Sequence, residues 1–300
     1  METTSSMTNH SLPRDRLLAD LSLLFIAAVW GATFFMVKDA TAQFPVLYFL
    51  ALRFGLASLA LIPLALLLKR RPTGAELRWG ILGGVLFCCG YIFQTFALGQ
   101  IDSGRVGFIT GLYVILVPIQ ALIFLRHRLK LRAIIGASLA VIGLALLSNA
   151  PGGNLAGDGL AFLCALSFAA QIIVVERFPR DADWRMMSLI QAACVGGISG
   201  GIAIFAEPLP ASIPISVLGV AAFTGLLATA LGLAIQVWAQ RRLPPSDAAI
   251  MFAMESPFSA LFGFLFLGER LTLGGLLGCG LILVGMLTTA LTGEDPSEFH

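Results

Sequence analysis

The sequence predicts an all-α polytopic membrane protein with ten transmembrane helices, arranged as two inverted five-helix repeats around a central cavity. Composition, an internal repeat and the distribution of basic residues support this fold class. Hydrophobic residues make up 58% of the 300 residues and charged residues only 12%, whereas a soluble domain carries about 25% charged residues. Such a chain belongs in a lipid bilayer.

Ten apolar segments are long enough to cross the bilayer as helices, since a spanning helix needs about 20 apolar residues. None alternates polar with apolar residues as the roughly ten-residue strands of a membrane barrel do. The predicted spans are 21–39, 46–68, 79–98, 104–125, 132–148, 157–176, 186–206, 216–240, 246–267 and 272–292.

An internal repeat indicates that the chain is a duplication. Residues 124–143 match residues 266–285 at eight positions without a gap, an offset of 142 residues that also pairs Gln94 with Gln236. The opening spans of the two halves align more weakly at an offset of 138 residues. Duplicated and very apolar chains are typical of secondary transporters, whose repeats enclose a site near the middle of the bilayer.

Basic residues predict the orientation of the spans. With the N-terminus in the cytoplasm, fifteen of the nineteen Lys and Arg residues lie in cytoplasmic segments, three lie in outer segments, and Arg53 lies within the second span. The positive-inside rule therefore places both ends of the chain in the cytoplasm. Five spans per half is an odd number, so the second repeat is inverted relative to the first. The predicted organisation is a tail (1–20), two repeats (21–148 and 157–292) and a second tail (293–300).

Glu255 is the sharpest candidate for a functional group, because a charge near the bilayer midplane is costly and seldom only structural. It lies about ten residues into the ninth span. Pro257 follows two residues later and lacks an amide hydrogen, so it is predicted to free a backbone carbonyl beside the carboxylate and to serve a structural or gating role. The carboxylate can bind a substrate ammonium or a proton. The structural alternative is an ion pair with a buried base.

Arg53 lies about seven residues into the second span, where its side chain cannot easily reach the membrane surface. A buried guanidinium needs compensation. We assign Arg53 a structural or gating role, either in an ion pair or as a cap on the carbonyls of a broken helix, ahead of direct contact with a substrate.

Three amides and three aromatic residues complete the candidate site. Gln94 and Gln236 are equivalent in the repeat, whereas Gln171 coincides with Thr33 at the weaker offset. The amides form either a symmetric polar site or interhelical hydrogen bonds worth about 0.6 kcal/mol each. Aromatic faces within spans can stack on flat substrates or surround a cation, or serve packing alone. The aromatic candidates are Trp30, Tyr91 and Tyr113.

Several classes of function lack the residues that they need. The three histidines include two in the tails, the five cysteines all lie inside predicted spans, and there is no Walker A sequence. We therefore predict no catalytic centre, metal, cofactor or nucleic-acid partner. The predicted partners are a small-molecule substrate and membrane lipid, with the protein acting as a monomer or weak dimer.

Four short motifs resemble the drug/metabolite transporter superfamily, in its EamA-type branch, over residues 20–292. They are Trp30-Gly31, Leu52-Arg53-Phe54, Glu255-Ser256-Pro257 and the run from Leu267 to Leu271. The resemblance implies a bacterial inner-membrane carrier that exports small metabolites, commonly amino acids, and is similar to the aromatic amino acid exporters. It also implies a cavity lined by the first, third, fourth, sixth, eighth and ninth spans. Carried over by position, its lining includes Trp30, Tyr91, Gln94, Tyr113, Gln171, Gln236 and Glu255.

The main functional prediction is an exporter of aromatic or other large hydrophobic amino acids that works by alternating access. The alternative is an exporter of organic cations, for which a buried carboxylate and aromatic residues are equally suited. A membrane enzyme or sensor is a more remote alternative. The sequence leaves open whether transport is coupled to protons or is facilitated diffusion.

Overall fold

A computed structural model describes residues 13–125, 131–148, 154–178, 182–240, 251–252 and 254–290. The described part of the chain is built from helices joined by short connections. The helices are α1 (Pro13–Gln43), α2 (Val46–Leu66), α3 (Gly74–Leu98), α4 (Ser103–Gly111), α5 (Tyr113–Leu125), α6 (Leu131–Ser148), α7 (Leu155–Glu176), α8 (Trp184–Ala206), α9 (Ile215–Ala222), a π-helical segment (Phe223–Leu231), α10 (Gly232–Gln240), α11 (Glu255–Leu267) and α12 (Leu273–Ala290).

Seven helical stretches of the described chain are long and apolar enough to cross a membrane. Three shorter apolar helices cover 134–147, 255–267 and 273–288. The prediction of an all-helical, multi-pass protein is confirmed for the described residues. The number of ten spans and the inversion of the second half stay predictions.

Two predicted spans are not continuous α-helices. The fourth breaks at Leu112. There two amides bond to carbonyls three residues earlier in the chain instead of four, Leu112 N to Ile109 O (3.2 Å) and Ile115 N to Leu112 O (2.9 Å). The eighth contains the nine-residue π-helical segment Phe223–Leu231, and π-helical geometry is frequent at functional sites. A hydrophobicity pattern does not distinguish either irregularity from a continuous helix.

The first helix extends beyond the predicted span on its N-terminal side. Its membrane-spanning part starts at Leu21, as predicted, whereas the helix itself starts at Pro13, so residues 13–20 of the predicted tail are helical. Proline is favourable at the first helical position, because its missing amide hydrogen would have no partner there. The apolar pattern predicts only the membrane-spanning part of this helix and not its polar N-terminal extension.

Packing between the halves follows the sequence repeat. α6 packs along α12 and α2 along α8, and each of these two pairs joins segments that the repeat makes equivalent. α4 packs along α11, whose own equivalent in the first half is α5. Where α6 crosses α12, a Cβ on Gly143 would lie 2.6 Å from the Gly278 carbonyl oxygen, and a Cβ on Gly285 would lie 2.5 Å from that of Gly136. The second contact is the first one shifted by the repeat, so the glycines allow a close and symmetric helix crossing.

Two further contacts recur in the same way around the middle of the bundle. In each case, two glycines that are equivalent in the repeat, 142 positions apart, lie against two residues that are 138 positions apart. Gly90 contacts Phe168 as Gly232 contacts Trp30, and Gly83 contacts Gln191 as Gly225 contacts Arg53.

Glu269 joins three segments at the end of the bundle where α1 finishes and α4 begins. Its carboxylate accepts hydrogen bonds from Lys38 Nζ (2.6 Å), Ser103 Oγ (2.6 Å) and the Ser103 amide (2.9 Å). Gly104 N lies 3.4 Å away, so the carboxylate caps the N-terminus of α4. Burial alone would raise the pKa of Glu269, but the hydrogen bonds from Lys38 and Ser103 outweigh it and hold the pKa below its usual value.

We expect Glu269 to make the fold sensitive to acid. Because its pKa is depressed in the folded protein, its contribution is complete above about pH 4.3, the ordinary value for glutamate, and is lost as the pH falls through the lower folded pKa. Glu269→Gln should therefore lower the thermal unfolding midpoint at neutral pH, and the difference from wild type should shrink in acid. Unfolding followed by intrinsic fluorescence between about pH 6 and pH 3 measures this; a difference that stays constant with pH would contradict it.

A second polar connection joins α4 to α7. Arg105 and Asp158 form a two-pronged ion pair with both nitrogen–oxygen distances at 2.6 Å, and their side chains are only 3% and 6% exposed. The two residues belong to different predicted repeats. This pair therefore holds the halves together at the same end of the bundle as Glu269.

Candidate functional site

A cavity of about 600 Å³, including the part that opens to solvent, lies between the two halves. All seven residues predicted to bind substrate line it, although the binding itself stays a prediction. The lining residues are Trp30, Thr33, Phe87, Tyr91, Gln94, Tyr113, Phe168, Gln171, Ile172, Gln236, Phe252 and Glu255.

Glu255 supplies a carboxyl group to the described lining of the cavity. It is the first residue of α11, where the helix dipole favours a carboxylate. Tyr113 donates a long hydrogen bond of 3.4 Å from its hydroxyl to Glu255 Oε2. These two residues stand 142 positions apart, so equivalent positions of the two halves meet at this point. A carboxylate so weakly engaged retains capacity for a ligand.

Pro257 lies in the first turn of α11, where a missing amide hydrogen costs little. The carbonyl that it is predicted to free belongs to residue 253, which lies outside the described residues. The helix begins at Glu255, and the side chain of this first helical residue lines the cavity. The gating role of Pro257 stays a prediction.

Trp30 and Phe252 form one aromatic wall. Their rings stack with centroids 5.8 Å apart. The indole Nε1 of Trp30 donates to the Ala228 carbonyl over 2.8 Å, within the π-helical segment. Because that hydrogen bond fixes the ring, Trp30 offers a rigid apolar face to the cavity.

Three further rings form a second aromatic wall. Tyr91 lies in edge contact with Phe87 (4.8 Å between centroids) and with Phe168 (5.2 Å). Phe87 and Phe168 are 5.6 Å apart. Phe87, Tyr91 and Gln94 lie on one face of α3, and all three line the cavity. The two walls suit a flat apolar group.

The amides bring polar groups from both halves into the cavity. Gln94 comes from α3, Gln171 from α7 and Gln236 from α10. Gln171 Nε2 donates to Gln191 Oε1 over 2.8 Å, which fixes this amide from behind the wall. The side-chain carbonyl oxygen of Gln171 takes no part in this hydrogen bond and can accept another.

Arg53 lies behind the cavity wall and is 2% exposed. Its Nε donates to Thr229 Oγ1 over 3.3 Å, and its guanidinium carbon lies 4.7 Å from the Tyr91 ring centroid. Within the described part of the chain, no carboxylate lies at ion-pair distance from Arg53. Of the two structural roles predicted for Arg53, the ion pair is not formed within these residues, and its contacts there are with the π-helical segment and with aromatic rings.

Sequence reasoning did not select Phe168, Ile172 or Phe252 for the site. Apolar positions inside lipid-facing helices give no periodic signal for the inward face, so these side chains look like any other packing residue. One signal did exist. Phe168 stands 138 residues after Trp30, the offset that pairs the opening spans, and both residues line the cavity.

Comparison with known proteins places the chain among membrane transporters. The profile of a family described as the EamA-like transporter family matches residues 17–149 and again 155–291. An uncharacterized transporter of Archaeoglobus fulgidus is 32% identical over 276 residues, which is 92% of this chain and 87% of that protein.

Two more distant matches extend the comparison. The uncharacterized transporter YoaV of Bacillus subtilis is 22% identical over 91% of this chain and 96% of its own length. A solved crystal structure shares the fold with a TM-score of 0.65 at 19% identity, covering 92% of this chain and 98% of that one. The fold therefore agrees with one already determined experimentally.

Proposed function

The chain belongs to the EamA-like transporter family, and we propose that it exports amino acids with aromatic or other large hydrophobic side chains across a bacterial inner membrane. The observation that carries this proposal is the cavity, in which one carboxylate and three amides lie between two aromatic walls. Family and relatives indicate a membrane transporter rather than an enzyme. The substrate class is our inference from the chemistry of the lining.

Each part of an amino acid finds a complementary group in this cavity. Glu255 suits the ammonium, and the donor groups of Gln94 and Gln236 suit the carboxylate. The ring faces of Trp30 and Phe168 suit a large apolar side chain. Small or acidic amino acids would leave the aromatic walls without contact and should bind more weakly.

Alternating access follows from the symmetry that we propose. The recurring glycine contacts and the meeting of Tyr113 with Glu255 support a pseudo-twofold axis through the cavity. In an inverted repeat, such an axis lets each half adopt the conformation of the other, which opens the site to either side. We further propose that both termini lie in the cytoplasm and that the protein acts as a monomer or weak dimer.

An organic cation is the second candidate substrate. The described lining contains a carboxylate but no Lys or Arg side chain. Aromatic faces around a carboxylate also bind quaternary ammonium groups through cation–π contacts. This chemistry differs from that of an amino acid chiefly in lacking a carboxylate on the ligand, and the two are therefore separable by experiment.

Ligand-dependent thermal stabilisation tests the substrate class. The purified protein in detergent is heated with phenylalanine, tryptophan, leucine, glycine, aspartate or methyl viologen. A ligand at 100 times its Kd should stabilise the fold by about 2.7 kcal/mol, and we expect this for phenylalanine and tryptophan but not for glycine or aspartate. Stabilisation by methyl viologen alone would favour the organic-cation function instead.

A further inference from the structure

We infer that Arg53 determines substrate specificity, because its buried charge balances that of Glu255 and makes the cavity favour zwitterionic over cationic ligands. This inference rests on the proposed function, since it concerns how amino acids are distinguished from amines. Arg53 does not line the cavity. Its guanidinium lies against the ring of Tyr91, which does line the cavity, and its charge influences the electrostatic potential of the cavity from there.

The repeat itself shows what is unusual about Arg53. Its counterpart, 138 positions along the chain, is Gln191, and each of the two lies against one of the repeat-equivalent glycines Gly225 and Gly83. Gln191 accepts a hydrogen bond from the lining residue Gln171. Both positions therefore support the cavity wall from behind, but one is charged and the other neutral.

Among the described residues, no carboxylate lies at ion-pair distance from Arg53. Its contacts there include the Thr229 hydroxyl and the side chains of Phe54 and Tyr91. An arginine side chain keeps its proton in proteins. Because burial limits screening by salt and water, the field of this cation extends beyond Tyr91 into the cavity.

The charge balance of the site follows from this placement. Glu255 alone would give the cavity a net negative charge, which attracts amines and quaternary ammonium ions. With Arg53 behind the wall, the two charges sum to zero, as they do in a zwitterionic amino acid. Arg53 thus opposes entry of a cation and favours the ligand carboxylate.

Charged thiol reagents measure this potential without any substrate. A cysteine replaces Thr33, a lining residue, in a variant whose five native cysteines are changed to alanine. The rate of modification by a trimethylammonium methanethiosulfonate is divided by the rate with its sulfonate analogue. Arg53→Gln, which copies the residue of the other half, should raise this cation-to-anion ratio on the order of tenfold.

Matched variants separate charge from structure. Arg53→Lys keeps the charge and should leave the ratio close to that of the parent, whereas Glu255→Gln should lower it. If Arg53→Gln does not fold, the double variant Arg53→Gln/Glu255→Gln is compared with Glu255→Gln alone, and its ratio should be higher. An unchanged ratio in either comparison would overturn the inference.

Binding measurements connect the potential to specificity. The Kd of phenethylamine divided by that of phenylalanine should fall on the order of tenfold in Arg53→Gln. A shifted reagent ratio with no phenylalanine binding in the parent protein would remove amino acids as substrates but keep the electrostatic role of Arg53. Phenylalanine binding that weakens in parallel with phenethylamine binding, at an unchanged reagent ratio, would instead make Arg53 a purely structural residue.

Discussion

Replacing Glu255 with glutamine should reduce amino acid efflux from proteoliposomes on the order of 100-fold, because truncating one partner of a buried charge pair costs about 2–5 kcal/mol. Glutamine keeps the size and the hydrogen bond to Tyr113 but removes the charge that we propose binds the substrate ammonium. Glu255→Asp keeps the charge on a shorter side chain and should retain part of the activity. Initial rates with labelled phenylalanine measure the effect.

A matched control shows whether the loss is specific to the cavity. Asp39→Asn also neutralises a carboxylate on a predicted span, but this side chain is exposed and does not line the cavity. It should transport at nearly the wild-type rate. Equal rates for Glu255→Gln and wild type would remove Glu255 from the binding site. Rates measured with and without an imposed pH gradient then show whether a proton accompanies the substrate.

Arg105→Ala should lower the free energy of unfolding by about 3–5 kcal/mol, because it leaves Asp158 as a buried charge without its partner. Both side chains are almost completely buried, and both of their hydrogen bonds are short. Replacing both residues with apolar ones, as in Arg105→Met/Asp158→Leu, should cost much less, since no unpaired charge remains. Unfolding in a denaturing detergent titration measures all three proteins.

A partly exposed ion pair provides the comparison. Arg185 and Asp183 lie 2.7 Å apart at the start of α8, but their side chains are 29% and 19% exposed. Because water screens such a pair, Arg185→Gln should unfold close to the wild-type midpoint. If Arg105→Ala unfolds there as well, the pair between α4 and α7 does not hold the halves together.

Much of the fold was predictable, since the bilayer imposes simple rules on sequence. Spans must be long and apolar, and the described helices lie where those runs occur. Irregular backbone was not predictable. The break at Leu112 and the π-helical segment Phe223–Leu231 lie inside apolar runs that look continuous, and only contacts with neighbouring helices decide such geometry. One such contact is the Trp30 hydrogen bond to Ala228 O.

The site was predictable where its residues are polar or stand at repeated positions. Buried amides and a carboxylate are conspicuous in an apolar chain, and Gln94, Gln236 and Glu255 all line the cavity. Apart from the repeat position that Phe168 shares with Trp30, the phenylalanines gave no such signal, because 22 of them are spread along the chain. The partners of Arg53 also required the fold, since Thr229 lies 176 residues away in sequence.

Entrance counterflow of phenylalanine in proteoliposomes tests most directly whether this cavity works by alternating access. Vesicles that contain the wild-type protein are loaded with unlabelled phenylalanine and diluted into a trace of labelled phenylalanine. A carrier whose site faces the two sides in turn accumulates label transiently above its equilibrium level, and we expect this for wild type but not for Glu255→Gln. Label that rises only to the level of protein-free vesicles would contradict the account.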